Sequence, residues 1–380
     1  MKRKIVILLL AGCVLSISAC GKVKDVATNA VCSNGCSCTD CVCCDAVQNQ
    51  DSAVYTEEII TESSVEDLLQ TEVQQTTEAP SAEQETTTEQ MVEETLQTET
   101  GTQFNEVEQL TEGEKEARRQ QQANFAEARD LLYTLTNSKD KTNKINQMDR
   151  QILENNVYDF SKSNIVFIGD SITEGVTAAV DANGNKVSYT TYVNSYLHFQ
   201  SVLNHGVAGR MFSDYGGSEL SLSLNFGQVT NINSDIIVVF AGVNDYLAPT
   251  ENKRYGDINN TESTAGYCGS VRYFMKQLRD YYSDNEIFFV TMYRINRTQK
   301  CTYSDITTQP TLNDYMEVQR KLAKEYGFHV IDLYKQGFMD CSTQESSDYY
   351  LRDGLHPKDN GNIVLGEHIA AELSLYFGQK

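Results

Sequence analysis

Five short apolar segments alternate with stretches that favour helix, and this alternation constrains the fold of the 380-residue chain more than any other feature. The apolar segments occupy residues 164–170, 200–207, 235–242, 286–293 and 328–334. The helix-compatible stretches lie around residues 187–199, 263–282, 311–326 and 358–377. Short buried strands that alternate with helices form a parallel sheet with helices on both faces. The pattern therefore predicts an α/β domain over residues 161–380, in which ligands bind at the carboxyl ends of the strands.

Four clusters of polar and small residues follow predicted strands, at the places where such a site is expected. The clusters are "GDS" (169–171), "NHGVAG" (204–209), "GVND" (242–245) and "DGLHP" (353–357). Each cluster alone would serve as ordinary turn chemistry, because Gly, Asp, Asn and Ser are common turn residues. Their occurrence after four strands of one predicted sheet favours a shared functional site.

The residue types in these clusters are those that acyl transfer requires. Ser171 is a candidate nucleophile, but a serine hydroxyl attacks a carbonyl only when a base takes its proton. His356 is the candidate base, and Asp353, three residues earlier, can hold the imidazole through a tight turn. The backbone N–H groups of Ser171 and Gly209 and the side-chain amide of Asn244 are candidate donors to a developing oxyanion.

The four clusters resemble, in order, the sequence blocks of the SGNH/GDSL hydrolase family. The resemblance covers about residues 160–378, and it implies a flavodoxin-like, three-layer α/β/α fold with a five-stranded parallel sheet. It also implies ester hydrolysis by a serine nucleophile without a metal or other cofactor. By the family's pattern, the nucleophile, the base, its partner carboxylate and the oxyanion donors are the residues named above. The chain contains no GxSxG motif, so the nucleophile elbow of the α/β-hydrolases is absent.

Four further polar residues at or after the strand ends are candidate substrate contacts. They are Asp170, Arg210, Asp245 and Arg294. Alternatively, Asp170 shapes the turn before the serine, Asp245 hydrogen-bonds within its loop, and Arg210 is a solvated surface side chain. The sequence leaves these roles open.

The N-terminus has the pattern of an exported protein. A basic start, "MKRK", precedes the apolar run "IVILLLAGCVLSISA", which is shorter than the roughly 20 residues of a membrane-spanning helix. The run leads into "ISAC", residues 17–20, which resembles a bacterial lipobox. The resemblance implies that residues 1–19 are a lipoprotein signal peptide and that lipidated Cys20 anchors the protein to the extracellular face of the bacterial cell membrane. An ordinary cleaved signal peptide is the alternative.

The segments between this anchor and the domain differ sharply in composition. Residues 20–44 hold six thiols between Cys32 and Cys44, which would pair as disulfides in an exported protein; the alternatives are a spacer and a soft-metal site. Residues 45–114 hold 19 Asp and Glu, no Lys or Arg, and few apolar residues. Such a segment repels itself and buries too little surface to fold, so it is predicted to be a disordered acidic linker. A helical lead-in is predicted over residues 115–160, because "EKEARRQQQANFAEARDLLYTL" favours helix.

Charge and location narrow the expected function. The acidic linker carries most of the formal charge of −22, so the rest of the chain is nearly neutral and has no basic stripe that would bind nucleic acid. The family resemblance and the predicted anchor together lead us to expect a surface-anchored serine esterase. Its location favours small acyl groups, such as acetyl, on glycans as the substrate. The polar segments 244–265 and 294–312 follow two strands and would form a rim that selects the substrate. Two alternatives stay open: transfer of acyl groups to a cell-surface polymer by the same residues, and glycan binding without catalysis.

Overall fold

The computed structural model describes residues 106–215, 218–230, 232–248, 253–261, 266–299 and 303–380. The predicted signal peptide, Cys20, the cysteine-rich segment and the acidic linker up to residue 105 lie outside the described residues. None of the helices in the described ranges combines the length and the apolar character that crossing a bilayer requires.

A parallel sheet forms the centre of the domain. The strands of the described chain are β1 (Asn164–Gly169), β2 (Ala179–Val180), β3 (Lys186–Val187), β4 (Ser201–Gly206), β5 (Ile236–Phe240), β6 (Glu286–Val290) and β7 (His329–Ile331). Five of them pair in parallel in the order β4-β1-β5-β6-β7, whereas β2 and β3 form a separate antiparallel hairpin. Counted along the parallel strands alone, this order is the flavodoxin-like 2-1-3-4-5. The winding direction reverses at β1, so the switch point at which such sheets bind ligands lies between β1 and β5.

Helices cover both faces of this sheet. Those in the described chain are α1 (Glu106–Gln109), α2 (Glu112–Tyr133), α3 (Lys139–Glu154), α4 (Ser171–Glu174), α5 (Tyr189–Leu197), α6 (Val243–Leu247), α7 (Gly266–Tyr281), α8 (Leu312–Glu325), α9 (Leu333–Gln336), α10 (Gln344–Tyr350) and α11 (Asp359–Gly378). α5 packs on α11, and α7 packs on α8. Successive side chains of β6 reach the two layers: Phe288 contacts Tyr376 of α11, while Phe289 stacks on Phe328, which follows α8. The predicted three-layer α/β/α fold with a five-stranded parallel sheet is confirmed within the described residues.

The central strands are apolar along their whole length. β5 is buried at every position, and β1 is buried at every position except its first. A strand covered by helices on both faces has no solvent-facing side, which explains why these segments are continuous apolar runs. The edge strand β4 is mostly exposed or half-buried, and its sequence is correspondingly more polar.

The helical lead-in begins earlier than predicted. The Thr111 hydroxyl accepts a hydrogen bond from the Glu114 backbone N–H, and the Glu114 carboxylate accepts one from the Thr111 N–H. This capping box starts α2 at residue 112, and α1 forms a short helix upstream of it. Residues 106–109 and 112–114, which were predicted to belong to the acidic linker, are thus helical, and in α2 the acidic Glu112 and Glu114 lie in the first turn, where they stabilise a helix.

A buried network of charges joins the lead-in to α11. Arg129 of α2 forms ion pairs with Asp149 of α3 at 2.6 Å and with Glu372 of α11 at 2.7 Å. Nδ1 of His368 in α11 lies 2.9 Å from Asp149 Oδ2, and its Nε2 lies 3.0 Å from Gln336 Oε1. We call these five residues the lead-in network. The lead-in is thus docked on the domain through charged groups, of which Arg129, Asp149 and His368 are buried and Glu372 is partly exposed.

Candidate active site

The carboxyl ends of β4, β1 and β5 meet in one row of the sheet. Gly169, the last residue of β1, pairs with Gly206 of β4 on one side and with Phe240 of β5 on the other. The segments that follow this row carry the candidate nucleophile and the candidate oxyanion donors. Backbone pairing therefore brings these groups to one place although they are distant in sequence.

Two glycines allow this close approach. A Cβ on Gly169 would lie 2.0 Å from Thr173 Oγ1, and a Cβ on Gly206 would lie 2.1 Å from the Glu174 backbone nitrogen. Side chains at either position would collide with α4. Glycine at both positions lets α4 lie directly on the ends of β1 and β4.

Ser171 opens α4 in a tight strand-to-helix turn. Asp170 caps this helix by accepting a 2.9 Å hydrogen bond on Oδ1 from the Ile172 N–H, and Gly175, in left-handed backbone, ends it. Asp170 is 1% exposed, and burial raises its pKa to about 7 despite that hydrogen bond. The structure contradicts the expected substrate contact, since the Asp170 carboxyl is enclosed and shapes the turn.

His356 reaches across the site to the serine. Its Nε2 lies 2.8 Å from Ser171 Oγ, and its Nδ1 lies 2.7 Å from Asp353 Oδ2. An ionised carboxylate only accepts hydrogen bonds, so Nδ1 carries a proton and Nε2 is left to accept from the hydroxyl. Burial raises the pKa of Asp353, but hydrogen bonds from the His356 backbone and ring outweigh it and hold that pKa below its usual range. The carboxylate is therefore charged at neutral pH.

The turn that carries His356 is held by the same carboxylate. Asp353 Oδ1 accepts hydrogen bonds from the Leu355 N–H at 3.1 Å and the His356 N–H at 2.9 Å. Gly354 adopts φ of 78°, a conformation that residues with side chains rarely take. One oxygen of Asp353 therefore orients the ring while the other orients the backbone beneath it.

Three side chains from other segments, which the sequence did not single out, hold this loop. Thr177, Tyr293 and Arg297 each donate a hydrogen bond to a backbone carbonyl of residues 353–357. The bonds from Thr177 and Arg297 measure 2.8 Å and 2.6 Å. The strand pattern located the segment after β6 that carries Tyr293 and Arg297, but no sequence signal marks Thr177.

The candidate oxyanion donors are tied together. Asn244 Nδ2 donates a 3.0 Å hydrogen bond to the carbonyl of Arg210, the residue after Gly209. Within the described residues, the backbone N–H groups of Ser171 and Gly209 form no hydrogen bond. The Asn244 amide has a second N–H to offer. Backbone donors without internal partners, beside a side-chain amide, have the character of an oxyanion site.

Asp245 and Arg210 are buried within the loops and do not face a ligand. Asp245 accepts hydrogen bonds from the Phe212 N–H and from both the N–H and the hydroxyl of Ser213. Arg210 is 3% exposed and donates to the His205 carbonyl at 2.7 Å. The structure contradicts the expected substrate contacts of both residues, because their polar groups are satisfied internally. It supports the alternative in which Asp245 holds its loop, and it excludes a solvated Arg210.

Arg294 is also occupied by the fold. Its Nη1 pairs with Asp340 at 3.1 Å, and its Nε donates to the Tyr334 carbonyl at 3.1 Å. Arg297, three residues later, contacts the loop of the candidate base. The substrate contact of Arg294 stays a prediction, and the structure shows that part of its guanidinium is already paired with Asp340.

These groups bring a hydroxyl, an imidazole with its carboxylate, and oxyanion donors to one edge of the sheet. This arrangement can support nucleophilic attack on an acyl carbon. Among the described side chains, no group of three or more His, Cys, Asp or Glu is placed to hold a metal ion.

Several solved structures are similar to this chain. A protein from Lactobacillus plantarum is 20% identical, with a TM-score of 0.47 and coverage of 56% of this chain and 97% of that chain. A possible lipase from Chitinophaga pinensis is 19% identical, with a TM-score of 0.41 and coverage of 56% and 98%. An acetyl xylan esterase is 19% identical, with a TM-score of 0.38 and coverage of 55% and 99%.

The family comparison includes every segment of the candidate site. The sequence model of the GDSL-like lipase/acylhydrolase family matches residues 167–363, from within β1 to the start of α11. No curated protein matches the chain. The match covers more than half of the chain, and it includes the serine, the histidine and the carboxylate whose contacts are described above. The chain therefore belongs to the GDSL-like lipase/acylhydrolase family and is an ester-hydrolysing serine hydrolase.

Proposed function

We propose that Ser171, His356 and Asp353 form the catalytic triad of this hydrolase. Ser171 Oγ attacks the ester carbonyl carbon while His356 Nε2 takes the hydroxyl proton, and the carbonyl oxygen becomes an oxyanion. When this intermediate collapses, the bond to the alcohol oxygen breaks and His356 returns the proton to the leaving alkoxide. Water then attacks the acyl-enzyme and gives a proton to His356, which passes it to Ser171 as the acid leaves. Asp353 stabilises the imidazolium formed in each half of the reaction.

One observation carries this proposal: two hydrogen bonds run from Ser171 Oγ through the imidazole to Asp353, at 2.8 Å and 2.7 Å. Ser171 and His356 are 185 positions apart, so no local turn imposes their contact. Glycan binding without catalysis would not require a histidine oriented by a carboxylate against a serine hydroxyl.

The backbone N–H groups of Ser171 and Gly209, with the Asn244 amide, are proposed to bind the oxyanion. Two observations support this assignment. All three residues follow the same row of paired strand ends, and the two backbone N–H groups lack hydrogen-bond partners within the described chain. Each such donor typically stabilises the transition state by about 2.7–4 kcal/mol.

For the substrate we favour small acyl esters, such as acetyl, on glycans. An open cleft of about 770 Å³ lies in the segment after β6, against Tyr255 from the segment after β5. Its lining combines the polar side chains of Ser304, Asp305, Thr307, Thr308, Gln309 and Asp314 with the apolar Ile306 and Pro310. Hydroxyl-rich sugars use such hydrogen-bonding groups together with an aromatic ring, whereas a long acyl chain needs an apolar groove. Ser171, His356 and Asn244 do not line this cleft, so it supports a sugar-binding surface on the domain and does not bear on the acyl group of the ester.

We also propose that the enzyme is anchored to the extracellular face of the bacterial cell membrane through lipid on Cys20. The support is the order of a basic start, an apolar run and "ISAC" in the sequence. Stable anchoring requires two or more acyl chains, which a lipidated N-terminal cysteine would carry. Cys20→Ala should move the protein from the membrane fraction to the medium or the soluble fraction, and unchanged membrane retention would contradict the anchor.

Hydrolysis of p-nitrophenyl acetate by the full chain and by Ser171→Ala tests the triad. The variant should lose nearly all turnover, and a fluorophosphonate should label the wild-type protein at residue 171 only. Equal slow rates for the two proteins, or labelling elsewhere, would overturn the assignment.

Acid release from a panel of acetylated glycans and lipid esters then tests the substrate class. Transfer of the acyl group to an added sugar hydroxyl, without acid release, would favour the acyltransferase alternative.

A further inference from the structure

Glu174 links the helix of the nucleophile to the loop of the oxyanion donors. It is the last residue of α4, and its Oε2 accepts a 2.7 Å hydrogen bond from the Ala208 N–H. Ala208 directly precedes Gly209, whose N–H is a proposed oxyanion donor. This single contact therefore joins two segments that the reaction must align.

Asn204 holds the start of the same loop. Its Nδ2 donates to the Thr173 carbonyl at 2.6 Å, and its Oδ1 accepts from the Gly206 N–H at 3.0 Å. These bonds secure the end of β4 against α4. Glu174 acts further along the loop, at the residue next to Gly209, where the Asn204 contacts do not reach.

A lysine from the β2–β3 hairpin orients the Glu174 carboxylate. Lys186 Nζ lies 2.7 Å from Glu174 Oε1, so one oxygen faces the lysine and the other faces the Ala208 N–H. The hydrogen bond from Lys186 lowers the pKa of Glu174 against the effect of burial, and the Ala208 N–H lowers it further. Glu174 therefore remains a charged acceptor across the neutral range. Both side chains are partly exposed, so the ion pair alone contributes little to stability.

Gly209 needs an external contact of this kind. Its φ of 79° lies in the left-handed region, and a residue without a side chain has more backbone freedom than any other. Rotation of the peptide between Ala208 and Gly209 would turn the Gly209 N–H away from the oxyanion. A hydrogen bond to the Ala208 N–H fixes the peptide between Val207 and Ala208, from which the peptide that carries the Gly209 N–H extends.

We propose that Glu174 is a positioning residue for the oxyanion site, acting through the Ala208 N–H on the orientation of the Gly209 N–H. The inference rests on the proposed function, because it assigns a further residue to the same site. Glu174 does not touch the substrate, and Lys186 assists it by selecting one orientation of the carboxylate.

Loss of this contact should weaken transition-state stabilisation while leaving the triad intact. The effect should fall on kcat, with KM within about twofold, because oxyanion contacts strengthen only as the reaction proceeds. Direct removal of an oxyanion donor lowers kcat by about 100- to 1000-fold, so misalignment of one donor is expected to lower it by about tenfold.

A thionoester substrate separates this role from a general structural one. Sulfur accepts hydrogen bonds from N–H groups more weakly than oxygen does, so a thionoester gains less from the oxyanion site. The ratio of kcat for phenyl acetate to kcat for its thionoester is measured in the full-length wild-type protein and in each variant. Damage elsewhere in the fold should lower both rates together and leave the ratio unchanged, whereas misaligned oxyanion donors should lower the ratio.

The variants differ in the hydrogen-bond acceptor that they present to the Ala208 N–H. Glu174→Ala removes the acceptor, and Glu174→Asp keeps the charge but is one methylene too short to reach. Glu174→Gln keeps an oxygen acceptor and should retain most of the ratio. Lys186→Met removes only the orienting charge and should have a smaller effect than Glu174→Ala. Glu325→Ala is the matched control, because it breaks a partly exposed ion pair, with Arg272, between helices α7 and α8.

The expected result is a fall of about tenfold in both kcat and the ester-to-thionoester ratio for Glu174→Ala and Glu174→Asp, with rescue in Glu174→Gln. Should Glu174→Ala not fold by thermal melting, Glu174→Asp supplies the comparison. Wild-type ratios in a folded Glu174→Asp or Glu174→Ala, with turnover intact in wild type and Glu325→Ala, would overturn the positioning role alone. Absence of turnover in wild type would instead overturn the proposed function.

Discussion

The molecule contains two histidine–carboxylate pairs of nearly the same geometry in very different surroundings. In the candidate site, His356 Nδ1 lies 2.7 Å from Asp353, and in the lead-in network His368 Nδ1 lies 2.9 Å from Asp149. The side chains of the first pair are 17% and 43% exposed, whereas both side chains of the second are 0% exposed. Contact with a carboxylate is therefore common to both and cannot by itself make a histidine catalytic.

The second ring nitrogen distinguishes the two pairs. Nε2 of His356 faces the Ser171 hydroxyl, which can donate a proton, while Nε2 of His368 faces the Gln336 amide oxygen, which can only accept. Both nitrogens of His368 are thus occupied by acceptors, and no substrate can reach it. We propose that the same pair of residue types serves proton transfer at the edge of the sheet, whereas in the interior it joins helices.

The largest expected difference between the pairs comes from His356→Gln compared with His368→Gln. Removal of the base should lower kcat by about 10⁴-fold or more, because the serine hydroxyl is then a poor nucleophile. His368→Gln should leave kcat within about threefold in protein that is folded. Steady-state hydrolysis of p-nitrophenyl acetate checks both. Comparable losses in the two variants would show that the two histidines do not differ in their contribution to catalysis.

Asp353→Asn should lower kcat by about 10²- to 10⁴-fold, since an amide cannot stabilise the imidazolium or select the productive tautomer. Its free energy of unfolding should change little, because the Asp353 side chain is partly exposed. Kinetics and denaturant unfolding of the same preparation provide the measurements. A fall in stability without a fall in kcat would reassign Asp353 to a structural role.

Asp149→Asn should show the reverse behaviour. Arg129 and His368 would remain buried with less compensating charge, so the free energy of unfolding should fall by about 3–5 kcal/mol. Folded protein should keep kcat within about threefold, since α2, α3 and α11 lie outside the catalytic contacts. Denaturant unfolding at constant pH measures the loss, and a change below about 1 kcal/mol would show that the lead-in network is not what holds these helices.

The last comparison concerns the pH dependence of stability at two buried carboxyls. Burial raises the pKa of Asp149, but the charges of His368 and Arg129 outweigh it and hold that pKa low, so its contribution is lost only as pH falls. Burial raises the pKa of Asp170 to about 7, so the folded state holds a proton that the unfolded state releases. Its contribution is therefore greatest below about pH 4, and stability should fall by up to about 1.4 kcal/mol per pH unit as pH rises towards 7.

Asp170→Asn should flatten this fall between about pH 4 and 7, whereas Asp149→Asn should flatten the acid limb below it. Denaturant unfolding at a series of pH values measures both slopes. An unchanged slope between pH 4 and 7 in the Asp170 variant would show that another group titrates there.

The sequence predicted the sheet, and it placed the residues of the candidate site after the strands, because both depend on short-range patterns. Apolar runs mark buried strands, and turn residues after them mark the edge at which polar groups converge. Prediction of strand ends was less accurate: the segment 328–334 forms a strand only over His329–Ile331, because Leu333 already begins α9. Apolar character continues across that boundary, so hydrophobicity alone does not reveal it.

Contacts between distant polar residues were not predictable in this way. Arg129, Asp149 and His368 lie on three helices, and their charges are typical of solvent-facing positions when each helix is considered alone. Arg210 was expected to be available to a ligand, yet its guanidinium is enclosed and hydrogen-bonded to the backbone of β4. Such pairings depend on which helix or loop folds over the other, and that information is absent from a local pattern.

The paired row of Gly206, Gly169 and Phe240 fixes the start of the segments that carry Ser171, Gly209 and Asn244. These three residues lie within a few positions of hydrogen-bonded backbone, whereas His356 lies far beyond the end of β7 and its loop depends on contacts such as that of Arg297. A change in the segment after β6 would therefore displace the candidate base before it displaced the candidate nucleophile. Replacement of Gly169 or Gly206 would instead displace the candidate nucleophile, because even one methyl group would push α4 off the sheet.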